Sequence, residues 1–309
     1  MIINAEIPAH YVLENEGLRL KTGDSTKPNW MEPLRIGIVN LMPKKIETET
    51  QLARLLGSSP FPVQLEFIRL DGHKAKNTPN EHLEAFYRPF STIIDEHFDG
   101  LIITGAPIEH LRFEDVDYWD ELCVLMDWLQ SNVYSTMGIC WGAMALAYHR
   151  YGLPKYALPK KVFGCFEHHR MTKYSQFLSG FSDGFYVPIS RHTEVRQTDI
   201  DQIQNLNTLL VGDEGGPALV EDTANRSLFV FNHFEYDWDT LKEEYERDVK
   251  SGLSTAIPAS YFPSDDPSQD PVNNWCWQGQ LLFWNWLAVL AKNQARSKKL
   301  SNHYLPYAV

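Results

Sequence analysis

A chain of 309 residues, 43% hydrophobic and 13% aromatic, has enough apolar side chain for a sizeable core, which excludes a disordered or fibrous polymer. With 40 acidic against 28 basic residues the formal charge is -12, a field that excludes nucleic acid or an anionic membrane as a partner over most of the surface. An anionic ligand must find a local basic pocket.

The chain opens on MIINAEIPAHYVLENEG, which has neither the basic start nor the apolar run of a secretory leader. Its most apolar late stretch, Leu281 to Ala291, is too short to span a bilayer. Cys123, Cys140, Cys165 and Cys276 are widely spaced and lack a C-x-x-C or zinc-type His pattern, so neither a disulfide framework nor a metal site is expected. A cytoplasmic, reducing location is expected.

From Leu34 the sequence alternates apolar runs with helical patterns: LRIGIVNLM, IETETQLARLLG, PVQLEFIRL, EHLEAFYR, FDGLIITGA, DYWDELCVLMDWLQSN, VYSTMGIC and WGAMALAYHRYG. Continuous apolar strands separated by amphipathic helices predict a doubly wound α/β domain with a mostly parallel sheet covered on both faces. Beyond Leu153 come KVFGCFEHH, GFYVPISRHTEV, TLLVGDEGGPALVED and SLFVFNHFEYD, strands joined by polar turns that extend or flank the same sheet. A helix over TLKEEYERDVKSG, a polar segment ASYFPSDDPSQDPVNN and an aromatic helix WCWQGQLLFWNWLAVLAKNQ complete the pattern. The expected organisation is an N-terminal extension over residues 1–33, one α/β domain over 34–295, and a frayed tail over 296–309.

Cys140 stands where VYSTMGIC gives way to WGAMALAYHRYG, in a G-x-C-x-G strand-to-helix turn. Flanking glycines allow a cramped backbone that projects the side chain above the sheet, as in a nucleophile elbow. A helix N-terminus favours the thiolate, and the Trp141 N–H would point at a developing oxyanion. The pentapeptide fits equally well a small thiol packed where nothing larger fits. A base decides between them, and SLFVFNHFEYD offers one: in extended chain His233 and Glu235 share a face, so the carboxylate can orient the imidazole while Phe234 turns into the core. The other pair, His168-His169, points to opposite faces of a strand, cannot easily chelate one ion, and reads as structural or surface.

TGAP at Thr104–Pro107, MGICWGA at Met137–Ala143, NHFEYD at Asn232–Asp237, NLMPKKIETETQLARLLG at Asn40–Gly57 and KNTPNEHLEAFYRP at Lys76–Pro89 together resemble the homoserine O-acyltransferases of methionine biosynthesis. The resemblance runs from about Pro33 to Lys292. It implies a flavodoxin-like fold of the class I glutamine amidotransferase type with extra C-terminal strands and helices. It also implies a ping-pong acyl transfer from acyl-CoA to L-homoserine, with no tightly bound cofactor. Carried over by position, Cys140 is acylated, His233 is the base and Glu235 its orienter. The amino-acid contacts fall on Lys161, Ser190 and Arg247, whose guanidinium suits an α-carboxylate. A second oxyanion donor is expected in TGAP, at Gly105 or Ala106. The aromatic content and the resemblance are compatible with a homodimer, although no stretch marks an interface.

The acyl donor is read from the loop after TGAP. In proteins that resemble this one, glycine at the second position after that proline goes with succinyl-CoA and glutamate with acetyl-CoA; here it is Glu109. A carboxylate there repels the second carboxylate of a succinyl group and fills its space. Acetyl-CoA is therefore the expected donor, with succinyl-CoA, or serine as acceptor, as alternatives. A glutaminase on the same scaffold is the rival enzyme, but no P-loop or synthetase segment accompanies it. A retired, non-catalytic scaffold would leave all three catalytic-type residues idle.

Overall fold

The computed structural model describes residues 1–4, 6–20, 31–72 and 78–303, with side chains through residue 297. Lys76 and Asn77 of one motif, eleven residues of the N-terminal extension and the last six of the chain lie outside the described residues. In chain order the elements are α1 (Pro8–Asn15), β1 (Leu34–Val39), α2 (Lys45–Gly57), β2 (Val63–Arg69), α3 (Asn80–Phe86), β3 (Tyr87–Pro89), β4 (Phe98–Ile103), α4 (Trp119–Asn132), β5 (Val133–Ile139) and α5 (Trp141–Tyr151). There follow β6 (Tyr156–Arg170), β7 (Gly184–Glu194), α6 (Gln197–Ile200), β8 (Leu206–Gly212), β9 (Gly216–Asp222), β10 (Ser227–Val230), α7 (Thr240–Lys250) and α8 (Cys276–His303).

One sheet holds every one of these strands, in the order β3-β2-β1-β4-β5-β10-β9-β8-β6-β7. From β3 to β10 neighbours are parallel, and from β10 to β7 they are antiparallel. The late strands thus extend the same sheet, as their composition predicted. Along the parallel strands, side chains alternate between two apolar layers: Ile36, Ile38 and Ile102 face α1, α2 and α8, while Val39, Leu101 and Ile103 face α4 and α5. This two-sided burial is why those strands read as unbroken apolar runs.

Three features differ from the sequence reading. The helix over EHLEAFYR ends at Phe86, and Tyr87–Pro89 pairs with β2; as the outermost strand it tolerates a proline that cannot donate to the ladder. The N-terminal extension enters the core, with Ile7, Ala9 and Leu13 buried and Ile2 bridged to Gln64 beside β2. The tail expected from residue 296 begins inside a helix that continues to His303. Gln, Lys and Ser prolong a helix whose apolar face is already docked, so composition alone misplaces its end.

Register fixes the site. Gly138 pairs with Ile103 on one side, and Ile139 with Val230 on the other. The carboxyl ends of β4, β5 and β10 therefore meet at one edge, the crevice where doubly wound sheets bind ligands.

Candidate active site

Cys140 caps α5 with φ 49 and ψ -115, a conformation that costs an L-residue roughly 1 to 3 kcal/mol. Its N–H donates to the Val230 carbonyl at 2.7 Å, and its carbonyl accepts from Met144 N at 3.1 Å. The flanking glycines are steric necessities: a Cβ on Gly138 would lie 2.7 Å from Ala143 Cα, and one on Gly142 would lie 2.5 Å from the Thr104 carbonyl. The thiol is half-buried at the helix N-terminus, where Trp141 N–H belongs to the first turn and has no intrahelical acceptor. Gly105 abuts it, since a Cβ there would stand 3.3 Å from Cys140 Cβ, and Ala106 is buried beside it. The loop after β1 braces this strand end: Leu41 N donates to Thr104 Oγ1 at 2.8 Å, and buried Lys45 donates to the Asn40 and Met42 carbonyls. Burial lowers Lys45 to about 8.

Beyond β10 the chain turns rather than running on as a strand, which corrects the local geometry expected for H-x-E. The two side chains still meet: His233 Nδ1 donates to Glu235 Oε1 at 2.7 Å, with Phe234 buried beneath. Burial by itself would lower the imidazole's proton affinity, but the Glu235 charge, followed by charge and a hydrogen bond at Cys140, raises it well above the ordinary value. His233, Glu235, Gly105, Met42, Thr48 and Gln51 line a small cleft, and Glu235 Oε2 is buried without a partner.

The trio continues into a polar wall. The Tyr236 ring stacks on His233 with centroids 4.0 Å apart, and its hydroxyl donates to Glu244 Oε1 at 3.0 Å. Glu244 Oε2 accepts from Ser190 Oγ at 2.5 Å and lies 3.5 Å from Lys161 Nζ, which is also 3.4 Å from Asp248 Oδ2. Arg247 is 59% exposed and pairs with Asp248 through Nε and Nη2, at 3.0 and 2.8 Å. Lys161, Ser190 and Arg247 are thus gathered around two α7 carboxylates, one helical turn apart. Sequence reasoning missed Glu244, Asp248 and Tyr236; the i, i+4 spacing of the acids on an amphipathic helix was the available signal.

The "Homoserine O-succinyltransferase" family matches residues 1–296. The chain belongs to this family. A homoserine O-acetyltransferase of Cereibacter sphaeroides is 54% identical over 283 residues, covering 92% of this chain and 93% of its own. One from Roseobacter denitrificans is 53% identical over 288 residues, covering 93% and 94%. Among solved structures, a glutamine amidotransferase of Thermotoga maritima aligns with a TM-score of 0.52 at 11% identity, over 84% of this chain and 97% of its own. Another, from Methylobacillus flagellatus, aligns with a TM-score of 0.52 at 14% identity, over 84% and 95%. At those identities the likeness is one of fold, and it fits the flavodoxin-type, amidotransferase-like sheet.

In this family member Glu109 does not face open solvent. Its Oε1 accepts from His192 N at 2.8 Å, and its Oε2 from Thr193 N at 3.0 Å and Thr193 Oγ1 at 2.8 Å. Lys155 fastens the same loop through the Glu109 and Leu111 carbonyls. His168 is buried, with Nδ1 donating to the Phe166 carbonyl at 2.8 Å, whereas His169 is exposed and pairs with Asp213 at 3.0 Å. The two rings part as strand alternation requires. Glu167, His169 and Asp213 do bring their ligating atoms within 4.8 Å of one another at the surface. All four cysteines are free, and among the described residues no helix is long and apolar enough to cross a membrane.

Proposed function

We propose that this chain transfers the acetyl group of acetyl-CoA to the hydroxyl of L-homoserine through a thioester on Cys140, in the cytoplasmic synthesis of methionine. The observation that carries the chemistry is a thiol on a strained elbow at a helix N-terminus, facing an imidazole that a carboxylate orients at 2.7 Å. His233 takes the thiol proton, and the Cys140 thiolate attacks the acetyl carbonyl of acetyl-CoA. The oxyanion faces Trp141 N–H and a TGAP amide at Gly105 or Ala106. The CoA thiolate leaves with the proton from His233. In the second half-reaction His233 takes the homoserine hydroxyl proton, the oxygen attacks the thioester, and the Cys140 thiolate departs.

The polar wall supports homoserine as acceptor. An α-ammonium matches Glu244 and Asp248, and an α-carboxylate matches Lys161 and Arg247, with Ser190 at the same carboxylate. Every group in this reading comes from one chain, so a homodimer is compatible with it but not required.

Acetyl over succinyl is supported by the names of the relatives and by the Glu109 bonds. Its carboxylate already occupies the amides of His192 and Thr193, so a succinyl terminus would meet both bulk and like charge. The test is kcat/KM with acetyl-, succinyl- and butyryl-CoA for the wild type and Glu109→Gly. The wild type should favour acetyl-CoA, and the variant should gain with succinyl-CoA by roughly 10 to 100-fold. A larger gain for succinyl than for the equally long, uncharged butyryl group would mean that the freed amides receive the carboxylate. A wild-type preference for succinyl-CoA would overturn the donor assignment.

A further inference from the structure

Arg191, in β7, carries a guanidinium at 1% exposure, and its hydrogen bonds reach no carboxylate. Nη1 donates to the Phe231 carbonyl at 3.0 Å and to Asn232 Oδ1 at 2.8 Å, and Nη2 donates to the Gly215 carbonyl. Nε is buried without a partner. The contrast is Arg150, whose side chain is 4% exposed but has Asp222 at 3.3 Å. Burying a cation among neutral acceptors is costly, and an apolar side chain of similar volume would cost less. Packing alone does not account for arginine here.

Two of its three acceptors belong to the residues just before His233. Asn232 also donates through Nδ2 to His168 Nε2 at 2.6 Å, and His233 N donates to the Pro188 carbonyl at 3.0 Å. Consecutive residues 231, 232 and 233 are thereby fastened to β6, to β7 and to the β8–β9 turn. That turn is shaped around the fork: Gly215 has φ 76, and a Cβ there would lie 2.6 Å from Nη2.

We propose that Arg191 is a positioning residue whose guanidinium fork locks the backbone ahead of His233, so that the imidazole keeps its line to the Cys140 sulfur in both half-reactions. Burial lowers the proton affinity of Arg191, and the charges of Cys140 and then Glu109 act against that loss. The inference rests on the reading of His233 as the base.

Arg191→Lys keeps the charge but replaces a planar fork with a point donor that cannot serve all these acceptors. In folded protein, kcat and the single-turnover rate of Cys140 acetylation should both fall by roughly 10 to 100-fold, while KM for acetyl-CoA and homoserine changes by less than about 3-fold. Asn232→Ala should show the same split with a smaller loss. A merely structural arginine would lower the melting temperature and leave kcat per folded molecule intact; that result overturns the proposal. If Arg191→Lys does not fold, Asn232→Ala decides alone, its kcat at the wild-type level being the overturning result. His233→Asn is run in parallel. Unimpaired acetylation in that variant would bring down the base assignment itself, whereas loss there beside a wild-type Arg191→Lys would bring down only this inference.

Discussion

His168 and His233 are both buried, at 0% and 4% exposure, and Asn232 connects the strand that carries one to the turn that carries the other. Their proton affinities move in opposite directions. Burial pushes His168 down to about 4, the Phe166 carbonyl recovering only part of the loss. At His233 burial pulls the same way, but the Glu235 carboxylate at 2.7 Å, aided by Cys140, overrides it and raises the ring. Equal burial gives a neutral structural ring in one case and a proton-holding ring in the other, and an ionised partner in contact makes the difference. Glu167 adjoins His168 in sequence yet does not play that part, because neighbours on a strand face opposite ways.

The comparison breaks first if the two histidines can be exchanged in their effect on activity. His233→Asn should lose roughly 10³-fold or more in kcat, as removal of a catalytic base does, while His168→Gln should lose less than about 10-fold and show its damage mainly as a lower melting temperature. Comparable kcat losses would mean that burial, not the carboxylate, sets the roles. Glu235→Gln comes next: the imidazole remains but loses its charged orienter, and kcat should fall by roughly 10 to 100-fold with KM little changed. A wild-type kcat in this variant would sever the carboxylate from the function.

Smaller effects appear in stability against pH. A His168 held below 6.5 in the folded state stays neutral while the unfolded chain takes up a proton, so stability falls as pH drops from 6.5 towards 4. In thermal melts over that window, His168→Gln should lose fewer degrees than the wild type. The sign reverses for His233: its contribution is complete below 6.5 and is lost as pH rises through the raised folded value. Glu235→Gln should therefore sit a few degrees below the wild type in acid and converge on it as pH rises. A gap that widens with pH would contradict the assignment.

How much of this was readable beforehand depended on whether a feature is local in sequence. The parallel strands, the G-x-C-x-G turn and the H-x-E pair lie within windows of a few residues, and the structure brings Cys140, His233 and Glu235 to one sheet edge. Even there the stated reason was partly wrong, since residues 233–235 form a turn rather than extended strand. The polar wall assembles from β6, β7 and α7, and Glu244 acquires its partners only when the antiparallel strands fold beside the helix. Arg191 was equally hidden: in the sequence it lies within the strand pattern GFYVPISRHTEV, with nothing to mark a cation buried against residues 231 and 232. Long-range assembly, not weak motif chemistry, set the limit.

The acyl-enzyme itself is the most direct test. The protein is mixed with acetyl-CoA in the absence of homoserine, quenched in acid, digested and read by mass spectrometry. One acetyl group on the peptide containing Cys140 is expected, absent from His233→Asn on the same timescale, and discharged as O-acetylhomoserine when L-homoserine is added. Steady formation of O-acetylhomoserine with Cys140 unmodified throughout would contradict the thioester and the roles built on it.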